Sequence, residues 1–263
     1  MTKRNDKGKF DAEFDAGTAA RARAREAGEV LVAICLDESG SMSSIAEATV
    51  SAFNEYVQSL YTESLKGGPA MFVTLTQFSD PMTRGGEKAR VQYEALRLDK
   101  VPTLSAKTYR PNGNTPLYDA IGHTIRSAEV WQEAELNRRV LLVIQTDGYE
   151  NASRDFTRLE IVNLIQRNEN HGSWTAIMLG AGIDAWATGQ TVGIRTAGNT
   201  VTYEHTASSS NAAGVRLAKA THYYGATGQG YVDSAATLDG AFSSTITPEE
   251  EAEAEKKPKR WAS

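Results

Sequence analysis

Five oxygen-bearing side chains stand at three separate places in the chain: Asp37, Ser39 and Ser41 in the run DESGSM, Thr115 in GNTPLYDA, and Asp147 in TDG. Carboxylates and hydroxyls are hard donors, the set that a divalent cation such as Mg²⁺ takes in preference to nitrogen or sulfur. Mg²⁺ keeps near-octahedral oxygen geometry at about 2.1 Å and retains some of its waters, so a few direct ligands suffice while others act through water. No softer site competes. The histidines His123, His171, His205 and His222 are scattered without ligand spacing on a helix, and Cys35 is the only cysteine.

Taken alone, DESGSM has a second use, because serine hydroxyls also cap helices, and Ser44 with Glu47 has the spacing of a capping box. A serine nucleophile at Ser39 or Ser41 would need a base and an orienting acid, and G-x-S-x-G is missing from this loop. Asp119, one helical turn beyond Thr115, is expected to stabilise the positive end of its helix rather than to bind metal. Glu38 and Glu150 flank the constellation and make it more negative; they read as solvent-facing, with a part in selectivity as the alternative.

The elements that must position these residues follow from hydrophobic patterning. Val30 to Leu36 is a continuous apolar run rich in β-branched residues, the pattern of a strand buried on both faces, and Gly40 lets the chain turn tightly after it. A helix from about Ser43 to Ser64 is expected next, with Ala48, Val50, Phe53, Val57 and Leu60 on one face, ended by Lys66-Gly67-Gly68-Pro69. Met71 to Phe78 reads as a second strand, parallel to the first through a right-handed crossover. Arg90 to Ala95 alternates like an edge strand, and Pro102 to Asn114 is loop-like.

A helix opens near Pro116, and Val140 to Ile144 is a second buried strand that ends at Asp147. Parallel neighbours put their carboxyl ends on one edge, which is where open α/β sheets bind ligands. A helix from about Leu159 to Asn168, a strand at Trp174 to Leu179, a short helix from Asp184 to Val192, an outer strand in Gly198 to Glu204 and a helix from Asn211 to Tyr224 complete the alternation. The expectation is a doubly wound α/β domain with a mostly parallel central sheet over 29–224. Residues 1–28 form a polar arm outside the core, and 225–263 an extension whose charge run, EEEAEAEKKPKR, is expected to be solvated and disordered from about 247.

DESGS, then GNTPLYDA, then TDG resembles the von Willebrand factor A domain with its metal ion-dependent adhesion site: D-x-S-x-S, a separate threonine and a separate aspartate, in that order. The resemblance covers about Val30 to Tyr224. It implies a doubly wound, Rossmann-like fold in which Ser39, Ser41 and Thr115 coordinate a cation directly, Mg²⁺ or in its place Mn²⁺ or Ca²⁺, while Asp37 and Asp147 accept hydrogen bonds from waters and hydroxyls around it. In that family the metal commonly completes its coordination with a carboxylate from a binding partner. Stand-alone bacterial and phage domains of this type, some of them partners of AAA+ ATPases, suggest an adaptor or assembly factor.

Composition narrows the alternatives. A net charge of -5 and a pI near 5.5 leave no basic footprint for nucleic acid. A lone cysteine inside a buried strand, no apolar signal-peptide core and no run of eighteen apolar residues point to a cytoplasmic protein that neither enters nor crosses a membrane. The leading expectation is therefore a non-enzymatic, metal-dependent protein-binding module. A structural or virion-associated protein with a stabilising metal is the first alternative, and a metal-dependent hydrolase using Glu38 or Glu150 as base the second.

Overall fold

A computed structural model describes residues 28–79, 89–135, 137–195, 199–204, 206–227 and 246–255. The 1–27 arm therefore lies outside the described residues. The apolar run becomes β1 (Glu29–Asp37), whose side chains alternate between two cores: Val30, Val32, Ile34 and Leu36 enter one, Leu31, Ala33 and Cys35 the other. That two-faced burial is why the run carries no polar residue before Asp37.

β2 (Ala70–Phe78) and β4 (Arg139–Thr146) flank β1, both parallel to it. β5 (Trp174–Ala181) and β6 (Thr200–Tyr203) extend the sheet beyond β4, again in parallel, and β3 (Ala89–Arg97) closes the other edge in antiparallel register. The order β3-β2-β1-β4-β5-β6 makes this the doubly wound, mostly parallel sheet that the patterning predicts. The edge strand is irregular: its register against β2 shifts between Val73 and Thr76, and Ala95 sits at φ 43° with its N–H on Thr74 Oγ1. Such bulges twist an edge away from unwanted pairing.

On one face lie α1 (Ala46–Ser64) and α5 (Ala207–Thr227), crossing so closely that a Cβ on Gly214 would stand 2.8 Å from the Ala52 carbonyl oxygen. The other face carries α2 (Leu117–Glu133), α3 (Arg158–Asn170) and α4 (Ala185–Val192). Between β1 and α1 the chain makes a 3₁₀ turn, Gly40–Ile45, that buries Met42 and Ile45.

Two expectations are corrected. Ser44 and Glu47 form no capping box: α1 begins at Ala46 with no side-chain cap, and Ser44 Oγ donates to the Ser41 carbonyl instead. The burial of Met42 and Ile45 pulls the segment into the 3₁₀ turn first. The charge run is not wholly disordered from 247, because α6 (Pro248–Glu255) forms inside it and packs on α5. A capping box between Thr247 and Glu250 starts that helix, Ile246 and Ala254 are buried beneath it, and Glu250 lies 3.6 Å from Arg216. No described helix is long and apolar enough to cross a membrane.

Candidate metal centre

β1 and β4 are adjacent, and the crossovers leave β1 toward β2 but return to β4 on its other side. This reversal opens a crevice at the carboxyl ends of the two strands. Asp37 is the last residue of β1, and Asp147 directly follows β4, so both acids stand at that crevice.

Asp37 is fully buried, and each of its oxygens is matched. Oδ1 accepts the Ser39 N–H at 2.7 Å and Oδ2 the Thr146 hydroxyl at 2.6 Å. Burial nevertheless pushes its carboxyl up from 3.8 to about 6, with the Asp147 charge adding to the rise and the Thr146 and Ser39 bonds opposing it. Ser41 Oγ donates to Asp147 Oδ1 at 2.7 Å, and Ser39 Oγ lies 3.1 Å from Ser41 Oγ. Four of the five expected residues thus share one hydrogen-bonded cluster with Thr146.

Thr115 joins them through space. A Cβ built on Gly148 would lie 3.6 Å from both Ser41 Oγ and Thr115 Oγ1, so the two hydroxyls stand within ordinary contact of one point beside the glycine. Thr115 itself is buried and fixed by a reciprocal pair: its N–H donates to Asn151 Oδ1 at 2.7 Å, and its carbonyl accepts the Asn151 N–H at 3.1 Å. Asn151 had no signature in the sequence, since its role depends on where the loop after β4 folds.

The other acids serve the scaffold. Asp119 lies in the first turn of α2 as expected, yet its carboxylate accepts the N–H groups of Arg154, Asp155 and Phe156 at 2.8–2.9 Å. Glu150 is not solvent-facing: it accepts from the backbone of Tyr118, Ala152 and Ser153 and from the Ser153 hydroxyl. Together these bonds weld the start of α2, which follows Thr115, to the loop that follows Asp147. Glu38 is buried as well, its Oε1 accepting the Arg110 N–H.

The donor set suits a hard cation: three hydroxyls for direct contact, with two carboxylates that polarise them or hold waters. Among the described residues no three His, Cys, Asp or Glu side chains gather, so nothing offers a softer metal a site. Cys35, whose thiol burial pushes up to about 12, is occupied with Thr124 Oγ1 at 3.2 Å.

No protein-family model matches the chain, and no curated protein matches it in sequence. Solved structures share its fold. The pilus adhesin SpaC from Lactobacillus rhamnosus GG, in its open conformation, superposes with a TM-score of 0.54 at 14% identity, covering 74% of this chain and 30% of that one. Proximal thread matrix protein 1 from the mussel byssus gives 0.50 at 14% identity over 74% of this chain and 47% of its own. This chain therefore spans less than half the length of either protein. At such identities the likeness establishes a common α/β architecture.

Proposed function

We propose that this chain is a von Willebrand factor A-type, metal-dependent protein-binding module. Ser39, Ser41 and Thr115 would hold a divalent cation, Mg²⁺ or in its place Mn²⁺ or Ca²⁺, with Asp37 and Asp147 behind them. The observation that carries this reading is the convergence of three distant segments, with Ser41 Oγ on Asp147 and the Ser41 and Thr115 hydroxyls both 3.6 Å from the point where a Cβ on Gly148 would stand. A bound cation supplies an open coordination position that accepts a carboxylate. The protein's own groups align the hydroxyls around the charge.

The partner is a protein that presents an acidic side chain, which suits an adaptor or assembly role beside an AAA+ ATPase or within a virion. Without the cation the crevice keeps the Asp147 carboxylate and offers such a group no positive charge, so recognition depends on metal. A hydrolytic role has less support, because Glu38 and Glu150, the acids placed to act as a base, already accept backbone N–H groups.

The test is Mn²⁺ binding followed by electron paramagnetic resonance, for the wild type and for Asp37→Ala with Ser39→Ala. Loss of binding in the double variant supports the site, and unchanged affinity removes it. Affinity capture with and without chelator, read by mass spectrometry, tests the partner: proteins retained equally in both conditions place recognition elsewhere.

A further inference from the structure

Glu38 sits between two proposed metal-site residues without a metal role of its own, and its buried charge calls for an explanation. An acid at 1% exposure is costly to desolvate unless its oxygens are matched. Its Oε1 accepts the Arg110 N–H, and its Oε2 lies 3.6 Å from Arg90 Nη2 on the edge strand β3. Its backbone is engaged too: the Glu38 N–H donates to the Phe78 carbonyl at 2.8 Å, and its carbonyl accepts the Asn112 N–H at 2.9 Å.

The segment these bonds hold is the one that leads into Thr115. Thr108 O accepts from Gln77 Nε2 at 3.1 Å and from Arg90 Nη2 at 3.2 Å. Tyr109 OH donates to the Asp37 carbonyl at 2.6 Å, and Gly113 O accepts the Gly40 N–H at 2.8 Å. The run 110–114 contributes no residue to the apolar core, so polar ties must fix its path. Glu38 supplies two of them.

We propose that Glu38 is a positioning residue: its buried carboxylate holds the Arg110 N–H beside its own carbonyl's bond to Asn112 and so fixes the path into Thr115, with Arg90 as counter-ion linking the edge strand to the site. Glu38 acts as an acceptor for the Arg110 N–H, and its charge is balanced by Arg90 rather than directed at a cation. The metal-affinity consequence rests on the proposed function. The clamp itself does not.

Hydrogen exchange at 109–114 in chelator-treated protein, with Mn²⁺ affinity measured in parallel, tests this on Glu38→Ala, Glu38→Gln and Arg90→Ala. Glu38→Ala should speed exchange in 109–114 and weaken Mn²⁺ binding by about tenfold or more, in the range seen when supporting contacts to metal ligands are lost. Glu38→Gln keeps an acceptor for Arg110 and should recover most of both. Exchange unchanged in Glu38→Ala overturns the clamp, and Glu38→Gln behaving like Glu38→Ala overturns the acceptor role in favour of charge. If Glu38→Ala does not fold, Arg90→Ala decides: faster exchange at 110–114, beyond the Thr108 carbonyl that Arg90 also binds, supports the link, and wild-type exchange there overturns it. A wild type that takes up no Mn²⁺ removes the metal reading alone, since the exchange measurement still judges the clamp.

Discussion

Thr146 donates its hydroxyl to Asp37 across 2.6 Å, joining the end of β4 to the end of β1. The bond spans the two central strands at the crevice and supports a carboxylate that is wholly out of water. Much of the site's behaviour follows from that one buried charge.

The first consequence is a pH dependence. The folded state raises Asp37 from 3.8 to about 6, so between those values it binds more protons than the unfolded chain. Stability of the metal-free protein should therefore fall as pH rises through this window, by roughly 3 kcal/mol for a shift of about two units. Urea unfolding of chelator-treated wild type and Asp37→Asn at pH 4 to 7 measures it. Wild-type stability relative to Asp37→Asn should fall as pH rises toward 6 and level off above it. A difference that grows in favour of the wild type over that range sinks the assignment.

Thr146→Val keeps the shape of the side chain and removes the donor. Losing a hydrogen bond to a buried charge should cost about 1.5–3 kcal/mol at pH 7 and less below pH 5, where Asp37 is protonated. Thermal unfolding at both pH values checks it, and an equal loss at both would trace the effect to packing or to the Gly148 N–H that Thr146 Oγ1 also accepts, rather than to Asp37.

Gly148→Ala places a methyl 3.6 Å from the Ser41 and Thr115 hydroxyl oxygens, ordinary contact that the fold can absorb. Cation affinity should drop by about tenfold or more, equivalent to about 1.4 kcal/mol, with little change in thermal stability. Calorimetric titration with Mg²⁺ and a melting curve separate the two. Undiminished affinity would show that the spot between the hydroxyls is not where the cation sits.

Asp119→Ala leaves three loop N–H groups without their acceptor. The expected cost is about 2–4 kcal/mol, with faster amide exchange confined mainly to 151–156. Uniform exchange across the domain would instead mean that the carboxylate supports global packing.

The strands were legible because continuous β-branched runs such as Val30 to Leu36 can only be buried on both faces, and the order of acids and hydroxyls then marked the edge where they end. Asp37, Ser39, Ser41 and Asp147 needed only that edge, and Thr115 only the start of the next helix. Asn151 and the acceptor roles of Asp119, Glu150 and Glu38 were not legible, since each involves at least one backbone N–H brought in from 30 or more residues away. Local capping signals also misled: Ser44 and Glu47 carry the motif without the geometry, whereas Thr157 with Glu160 and Thr247 with Glu250 have both. In the first case buried Met42 and Ile45 decided the local path.

The register of β1 has a mechanical meaning. From Glu29 to Asp37 it is paired with β2, and from Val30 to Leu36 with β4, both in parallel. A tether attached at Ser39 or Ser41 and pulled along the strand would load two hydrogen-bond ladders in shear, so that many bonds must yield together rather than one at a time.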